Sequence, residues 1–310
     1  MIRALALSLA LASPAGAFEL AFPAGCILGQ NCYIQQFSDH DPGPAATDFT
    51  CGPLSYDGHD GTDIALPTRK AMEQGVPVLA AAAGTVVSTR DGIADFAPFP
   101  PGKDCGNGVV INHPQGWQTQ YCHLKQGSIA VFPGQSVATA TRLGEIGQSG
   151  RAEFPHLHLT LRHNGQTVDP FAPIAQCGGK QPQLWDIAIP YRPGGLLGIG
   201  LAPEIPDYAA IKSGLSSPDL PANAPALVAW AYVFAPRPGD ALLFEITGPQ
   251  GFRFTERSVF ERPQALAFRA SGKKRGAENW PLGRYKVTVR MLRDGKEIGQ
   301  QSLTVMVNAN

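Results

Sequence analysis

The sequence predicts a mainly β protein, with a compact antiparallel β domain followed by an immunoglobulin-like β-sandwich. Three observations carry this. Gly 35 and Pro 28 are frequent and spread along all 310 residues, which demands many turns. No apolar helical period is sustained beyond about two turns. Short runs of alternating or continuous apolar residues recur instead, each closed by turn residues.

A hydrophobic content of 44% with only 16% charged residues belongs to a folded chain rather than a disordered one. Net charge is zero, from 25 Lys+Arg and 25 Asp+Glu. Residues 1–180 carry 10 basic and 14 acidic side chains, a balance of −4, and residues 181–310 carry 15 and 11, a balance of +4. Neither half has the basic excess that nucleic acid demands of a partner.

At the N-terminus, Arg3 precedes the apolar run Ala4 to Leu11, and Ser13-Pro14-Ala15-Gly16-Ala17 follows. This reads as a secretory signal over residues 1–17, cut after Ala17. The run is too short for a retained anchor, which needs about 20 residues, and no later stretch is long enough to span a membrane. The mature chain is expected to start at Phe18 and to be exported, either periplasmic or secreted.

Residues 18–50 read as an irregular N-terminal extension, with Asp39-His40-Asp41-Pro42-Gly43-Pro44 rich in breakers. From Cys51 the texture changes. Gly58 to Leu66 enters a strand, and Arg69 to Gln74 makes one short helical turn. Val76-Pro77-Val78-Leu79-Ala80 and Gly84-Thr85-Val86-Val87 read as two strands split by a small-residue turn. After a Pro- and Gly-rich loop from Asp91 to Asn107, Val109–Asn112 and Gln118–Leu124 form a hairpin about His113–Gly116. Gly134–Val137 and Leu143–Gly147 continue the β pattern. In Pro155-His156-Leu157-His158-Leu159 the histidines and leucines alternate, so His156 and His158 share one face of a strand. That strand is expected to pair with Gln166–Pro170 across His163-Asn164-Gly165.

Residues 178–195 read as a linker, with Gly178-Gly179, Pro182, Pro190 and Pro193-Gly194-Gly195. Beyond it, residues 196–310 offer strands at 226–234, 241–246, 265–269, 285–290 and 301–307, the last two flanking a turn at Arg293–Lys296. This part has no cluster of His or Cys and reads as a non-catalytic module, which either binds a partner or steadies the fold.

After signal removal six cysteines remain, an even number that suits three disulfides in an exported chain. Six cysteines allow 15 pairings. Cys26–Cys32 as a local loop and Cys105–Cys122 across the hairpin are favoured, which leaves Cys51–Cys177 to tie the first domain's ends. A Cys-based zinc site is disfavoured because no Cys-x-x-Cys pair occurs.

The chemistry-bearing residues are His59, Asp63, His123, His156 and His158. A catalytic zinc takes three protein ligands from His and carboxylates and leaves a fourth position for water. His59-x-x-x-Asp63 supplies an imidazole and a carboxylate, with Gly61 suggesting a tight bend that turns both to one ion. One histidine of the His156-x-His158 pair would complete the set. The other member and His123 would orient or deprotonate the water and steady an oxyanion. Each of these histidines alone is more often an ordinary surface or core residue. Together they stand out, since four of seven histidines fall in three clusters on strands or strand edges, while His40, His113 and His163 fall in loops or turns.

His-x-x-x-Asp, then Tyr121-x-His123-Leu124, then Pro155-His156-Leu157-His158-Leu159 resembles the M23 metallopeptidases, the lysostaphin or LytM-like family. Pro77–Val86 is similar to that family's first hairpin, Gly108–His113 to its central strand, and Gly144–Gly150 and Val168-Asp169-Pro170 to stretches around its last motif. The resemblance covers residues 51–173 and frames a domain over 51–177. It implies that His59, Asp63 and His158 hold Zn2+, that His123 and His156 are the catalytic histidines, and that the substrate is a peptide bond in bacterial peptidoglycan. The link Thr68–Gln74 and the loop Asp91–Asn107 are longer than the family's usual segments, and the cysteines are not part of its general pattern.

The leading expectation is therefore a zinc endopeptidase of peptidoglycan. The alternatives are the same chemistry on a glycine-rich protein and a non-catalytic LytM-like regulator of other wall hydrolases; the regulator is disfavoured because the full ligand set is present. A further expectation is latency, with residues 18–50 over the groove and Asp39, His40 or Asp41 as a fourth ligand.

Overall fold

The computed structural model describes residues 18–174, 177–179 and 182–309. The expected signal segment and its cleavage after Ala17 lie outside the described residues. The first unit contains β1 (Tyr33–Gln36), β2 (Thr62–Ala65), helix α1 (Arg69–Glu73), β3 (Pro77–Leu79), β4 (Gly84–Arg90), β5 (Asn107–Asn112), β6 (Trp117–Leu124), β7 (Ser136–Val137), β8 (Arg142–Glu145), β9 (His156–His163) and β10 (Gln166–Thr167). Its main sheet runs β1-β2-β9-β6-β5-β4-β7, with β10 beside β9 and every pair antiparallel.

β9 is central, and its alternation decides its two faces. Leu157, Leu159 and Leu161 are fully buried in a core with Ile64, Val109, Ile111 and Tyr121. Each buried leucine contributes roughly 1.5–3 kcal/mol over an exposed one. His156, His158 and Thr160 occupy the opposite face. The hairpin β5–β6 and the β9–β10 turn form as the sequence predicts.

Three expectations are revised. The segments around Val78 and Val86 do not form a hairpin with each other: β3 pairs with β8, and β4 pairs with β5 and β7. The small residues between them, Ala80 to Ala82, are buried, and Ala81 N–H donates to the Tyr121 hydroxyl at 2.8 Å, so this stretch crosses the core rather than turning in solvent. The extension is not wholly irregular, because β1 extends the main sheet next to β2 and Leu20, Tyr33, Ile34 and Phe37 belong to the core. The stretch read as a linker also packs: Trp185 and Ile189 are buried in the same core, and Leu20 N–H donates to Leu184 O at 2.8 Å. Isolated anchor residues between prolines carry no periodicity, so their burial leaves no sequence signal. The three disulfides are Cys26–Cys32, Cys51–Cys177 and Cys105–Cys122.

The C-terminal unit is a β-sandwich. It comprises β11 (Gly195–Ala202), α2 (Tyr208–Ser213), β12 (Leu220–Pro221), β13 (Ala226–Phe234), β14 (Ala241–Thr247), β15 (Arg253–Val259), β16 (Leu266–Lys274), β17 (Gly283–Arg293) and β18 (Lys296–Asn308). One sheet has the order β11-β13-β16, the other β12-β18-β17-β14-β15. Leu227, Ala229, Ala231 and Val233 of the first meet Leu242, Phe244, Ile246, Val287 and Val289 of the second in one apolar core. The Tyr33 and Phe234 rings touch at 4.7 Å between centroids, so β1 also joins the two units.

Candidate metal centre

The β2–β9 register sets Asp63 directly opposite His158 and Ala65 opposite His156, and on its other side β9 sets Cys122 of β6 opposite His158. His59 precedes β2 by a tight loop. A Cβ at Gly61 would lie 2.6 Å from both His158 Nε2 and Leu159 O, so the loop closes onto β9 only with glycine there.

Three ligand-type atoms converge. His158 Nδ1 lies 2.8 Å from Asp63 Oδ1, and His59 Nε2 lies 3.2 Å from Asp63 Oδ1 and 3.2 Å from His158 Nδ1. All three residues are buried. His59 Nδ1 donates to the Phe37 carbonyl at 2.7 Å, which leaves its Nε2 as a lone pair. His158 Nε2 faces Asp60 Oδ1 at 3.2 Å and Thr160 Oγ1 at 3.0 Å.

Burial alone would raise the Asp63 pKa, but His156, His59 and His158, through charge and hydrogen bonds in their protonated forms, hold it well below the usual carboxylate range. Burial pulls His158 down, yet hydrogen bonds to Asp60 and Asp63 and their charges outweigh it and push it up to about 9. Three acceptor atoms thus share one proton, and a cation satisfies all three at once. This donor set of two imidazoles and a carboxylate fits zinc. Among the described residues it is the one cluster of this kind.

His123 and His156 lie against it. Their ring centroids are 4.6 Å apart, and the His123 ring is 6.0 Å from that of His158. His123 Nδ1 donates to Ser149 O and His156 Nδ1 to Phe154 O, each at 2.8 Å. Both therefore keep Nε2 as the basic nitrogen, and His156 Nε2 is 3.6 Å from Asp63 Oδ1. Burial, then the neighbouring His156 and His158, pushes His123 down to about 3, and burial likewise lowers His156. Burial thus disfavours the protonated form of both rings.

The backbone at His123 has φ 64°, a left-handed conformation unusual for a residue with a side chain. Here Cys122 and His123 oppose Gly108 alone, a bulge between the pairs Asn107–Leu124 and Val109–Tyr121. His123 N–H donates to Cys105 O at 2.8 Å, and the Cys105–Cys122 disulfide sits beside it. Strain of this kind costs on the order of 1–3 kcal/mol and persists where surroundings over-determine it.

All five site residues read from the sequence meet on one face. The remaining histidines do not: His40 Nε2 is 2.7 Å from Asp169 Oδ2, His113 joins Ala83 O to Thr119, and the His163 ring stacks on Trp117 at 4.3 Å. Asp39 accepts from the amides of Asp41, Thr47 and Gly58, and Asp41 from that of Gly43, so the expected fourth ligand from 39–41 does not join the cluster. Asp60 and the carbonyls of Phe37, Ser149 and Phe154 carried no sequence signal. A groove of about 600 Å³ lies beside His59 and Asp60, lined by residues 38–43, 57–60, 167–169 and 172–173.

This antiparallel β unit thus carries a His-Asp-His cluster that could hold a metal ion, flanked by two anchored imidazoles. Residues 57–170 match the model of Peptidase family M23, and this segment is an M23 domain. The chain is 38% identical over 111 residues to peptidoglycan DD-endopeptidase ShyA of Vibrio cholerae, covering 36% of this chain and 22% of that one. It is 38% identical over 112 residues to DD-carboxypeptidase/endopeptidase Mpg of Neisseria meningitidis, again 36% and 22%. Protease LasA of Pseudomonas aeruginosa is 38% identical over 68 residues, 19% of this chain and 16% of LasA. The matches thus span about a fifth of the length of these relatives. Among solved structures, a mutant catalytic domain of the prophage-encoded M23 protein EnpA of Enterococcus faecalis is 26% identical, covers 50% of this chain and 96% of that one, and has a TM-score of 0.34.

Proposed function

We propose that the chain is an exported zinc-dependent endopeptidase that hydrolyses peptide cross-links of bacterial peptidoglycan. The observation that carries this reading is the convergence of His59 Nε2, Asp63 Oδ1 and His158 Nδ1 beside two imidazoles whose Nδ1 atoms are already bound. His59, Asp63 and His158 would hold the metal. Bound zinc supplies a Lewis acid that polarises the scissile carbonyl and makes an attacking water acidic at neutral pH.

The chain's own residues do the rest. His123 and His156 each present Nε2, able to take the proton of the attacking water and later to give it to the leaving amine. Once protonated, the same Nε2–H would donate to the oxyanion of the attacked carbonyl. The Ser149 and Phe154 carbonyls hold each ring in that tautomer. The groove beside His59 is open enough for an extended peptide. ShyA, which shares this segment, is a peptidoglycan DD-endopeptidase by name, and Mpg a DD-carboxypeptidase/endopeptidase, and this supports the wall peptide as substrate. Three disulfides support an oxidising compartment, periplasmic or secreted. Among the described residues no helix is long and apolar enough to cross a membrane. The sandwich would serve as a module that binds the wall or a protein partner.

The test is a digestion. The chain beginning at Phe18 is incubated with cross-linked peptidoglycan, with and without a zinc chelator, and the products are read by mass spectrometry. Chelator-sensitive loss of cross-linked peptides is the expected result, and the fragment masses name the bond. A folded, zinc-loaded sample that releases no fragments overturns the reading.

A further inference from the structure

A neutral imidazole has one lone pair, so His158 can offer Nδ1 to a metal only while Nε2 carries the proton. Something must hold that proton in place. On the Nε2 side stand Asp60 Oδ1 at 3.2 Å and the Thr160 hydroxyl at 3.0 Å. An ionised carboxylate can only accept, whereas a hydroxyl can accept or donate, so on this side of the ring Asp60 is the group that requires a proton on Nε2.

Asp60 is itself held. Its Oδ2 lies 3.6 Å from Arg162 Nη2, and Arg162 Nη1 donates to Gln120 Oε1 at 2.8 Å. His158, Thr160 and Arg162 alternate along β9 and face the same side, and Gln120 stands opposite Thr160 on β6. Gly61 lets the Asp60 loop approach, since any Cβ there would collide with His158 Nε2. The arrangement runs from sheet to arginine to carboxylate to imidazole.

We propose that Asp60 is a positioning residue that fixes the tautomer and orientation of His158, with Arg162 holding Asp60 in turn. The proposal rests on the zinc reading of the site. Such outer partners of ligating histidines typically change metal affinity by about 10–100-fold. Asp60 acts through His158 and needs no contact with substrate.

The experiment measures zinc affinity of the full chain from Phe18 by competition with a chromogenic chelator, without substrate. Asp60→Ala is expected to weaken zinc binding by about 10–100-fold. Asp60→Asn should recover part of this, because its amide oxygen still accepts from Nε2–H. Arg162→Ala should give a smaller loss in the same direction. Asp57→Ala removes an exposed carboxylate of the same groove and should leave the affinity unchanged. Thermal unfolding of each metal-free variant checks the fold, and Asp60→Asn, similar in shape, carries the test if Asp60→Ala does not fold. Affinity within twofold of the parent in both Asp60 variants overturns the proposal while zinc uptake by the parent upholds the site. Equal losses in the Asp57 and Asp60 variants overturn it as well, since local charge then explains both. A parent that takes up no zinc overturns the metal reading itself, and this proposal with it.

Discussion

β9 and β13 are both flanked by a partner strand on each side and both are buried, yet they are made of opposite material. All nine residues of β13, from Ala226 to Phe234, are buried and most are aliphatic or aromatic. The first six residues of β9 are buried too, but His156, His158 and Thr160 take every second place. The wider units repeat the contrast. Beyond residue 195, Asp240 is the one buried charged or polar side chain among the described residues, and Arg293 meets both its oxygens, at 3.0 and 2.7 Å. In the first unit the buried polar set includes His59, Asp63, His123, His156 and His158. Burying a polar group without partners costs about 1–3 kcal/mol by mutational measures. Stability alone would therefore fill the histidine-bearing face of β9 as it fills β13. The difference separates a sheet that holds a fold together from one that tolerates cost to hold chemistry.

The largest test removes the shared support. Trimming residues 18–50 deletes β1, the buried Leu20, Tyr33, Ile34 and Phe37, and the carbonyl that orients His59. The expected outcome is loss of the cooperative unfolding transition by circular dichroism together with loss of zinc uptake. A trimmed chain more active than the Phe18 form would instead make the extension a latency segment.

Next come the polar residues of the first unit. His59→Ala should abolish stoichiometric zinc in elemental analysis and reduce peptide release by about a thousandfold or more, the scale of losing a preorganised electrostatic stabiliser. His123→Ala should retain zinc and lower kcat by about 10²–10⁴-fold, the range of a general acid–base group. If His123→Ala left kcat unchanged, the contrast would lose its catalytic half.

The sandwich should respond the other way. Phe244→Ala empties a fully buried place between the sheets and should cost about 3–5 kcal/mol in denaturant unfolding, with zinc affinity of the folded fraction unchanged.

The smallest effect is a pH dependence in the extension. Burial raises the Asp48 pKa, but hydrogen bonds from the Thr50 and Tyr191 side chains and the amides of Gly52 and Thr50 outweigh it and hold the carboxyl below its ordinary value. A depressed native pKa means the unfolded chain binds more protons, so this stability is present above the unfolded value near about 4 and is lost as pH falls through the native one. Asp48→Asn should lower stability at neutral pH, and its melting curves should converge with the parent's as pH drops below about 4.

The β9 alternation, the β5–β6 hairpin, the five candidate residues that the fold brings together and the strand at 226–234 were all legible along the chain. All rest on local signals: a period of two, turn residues at fixed offsets, and histidines rare enough that clustering stands out. The polar edge strand β15 and the glycine-rich β11 escaped because neither shows a clean alternation. Only the tertiary structure decided that β3 seeks β8, that Leu20 and Trp185 share a core, and that Asp60 reaches His158 across 98 residues of chain. Nothing local encodes such contacts. They depend on which faces meet after the sheet has closed, and a carboxylate read along the chain looks the same whether it faces water or a ligand's ring.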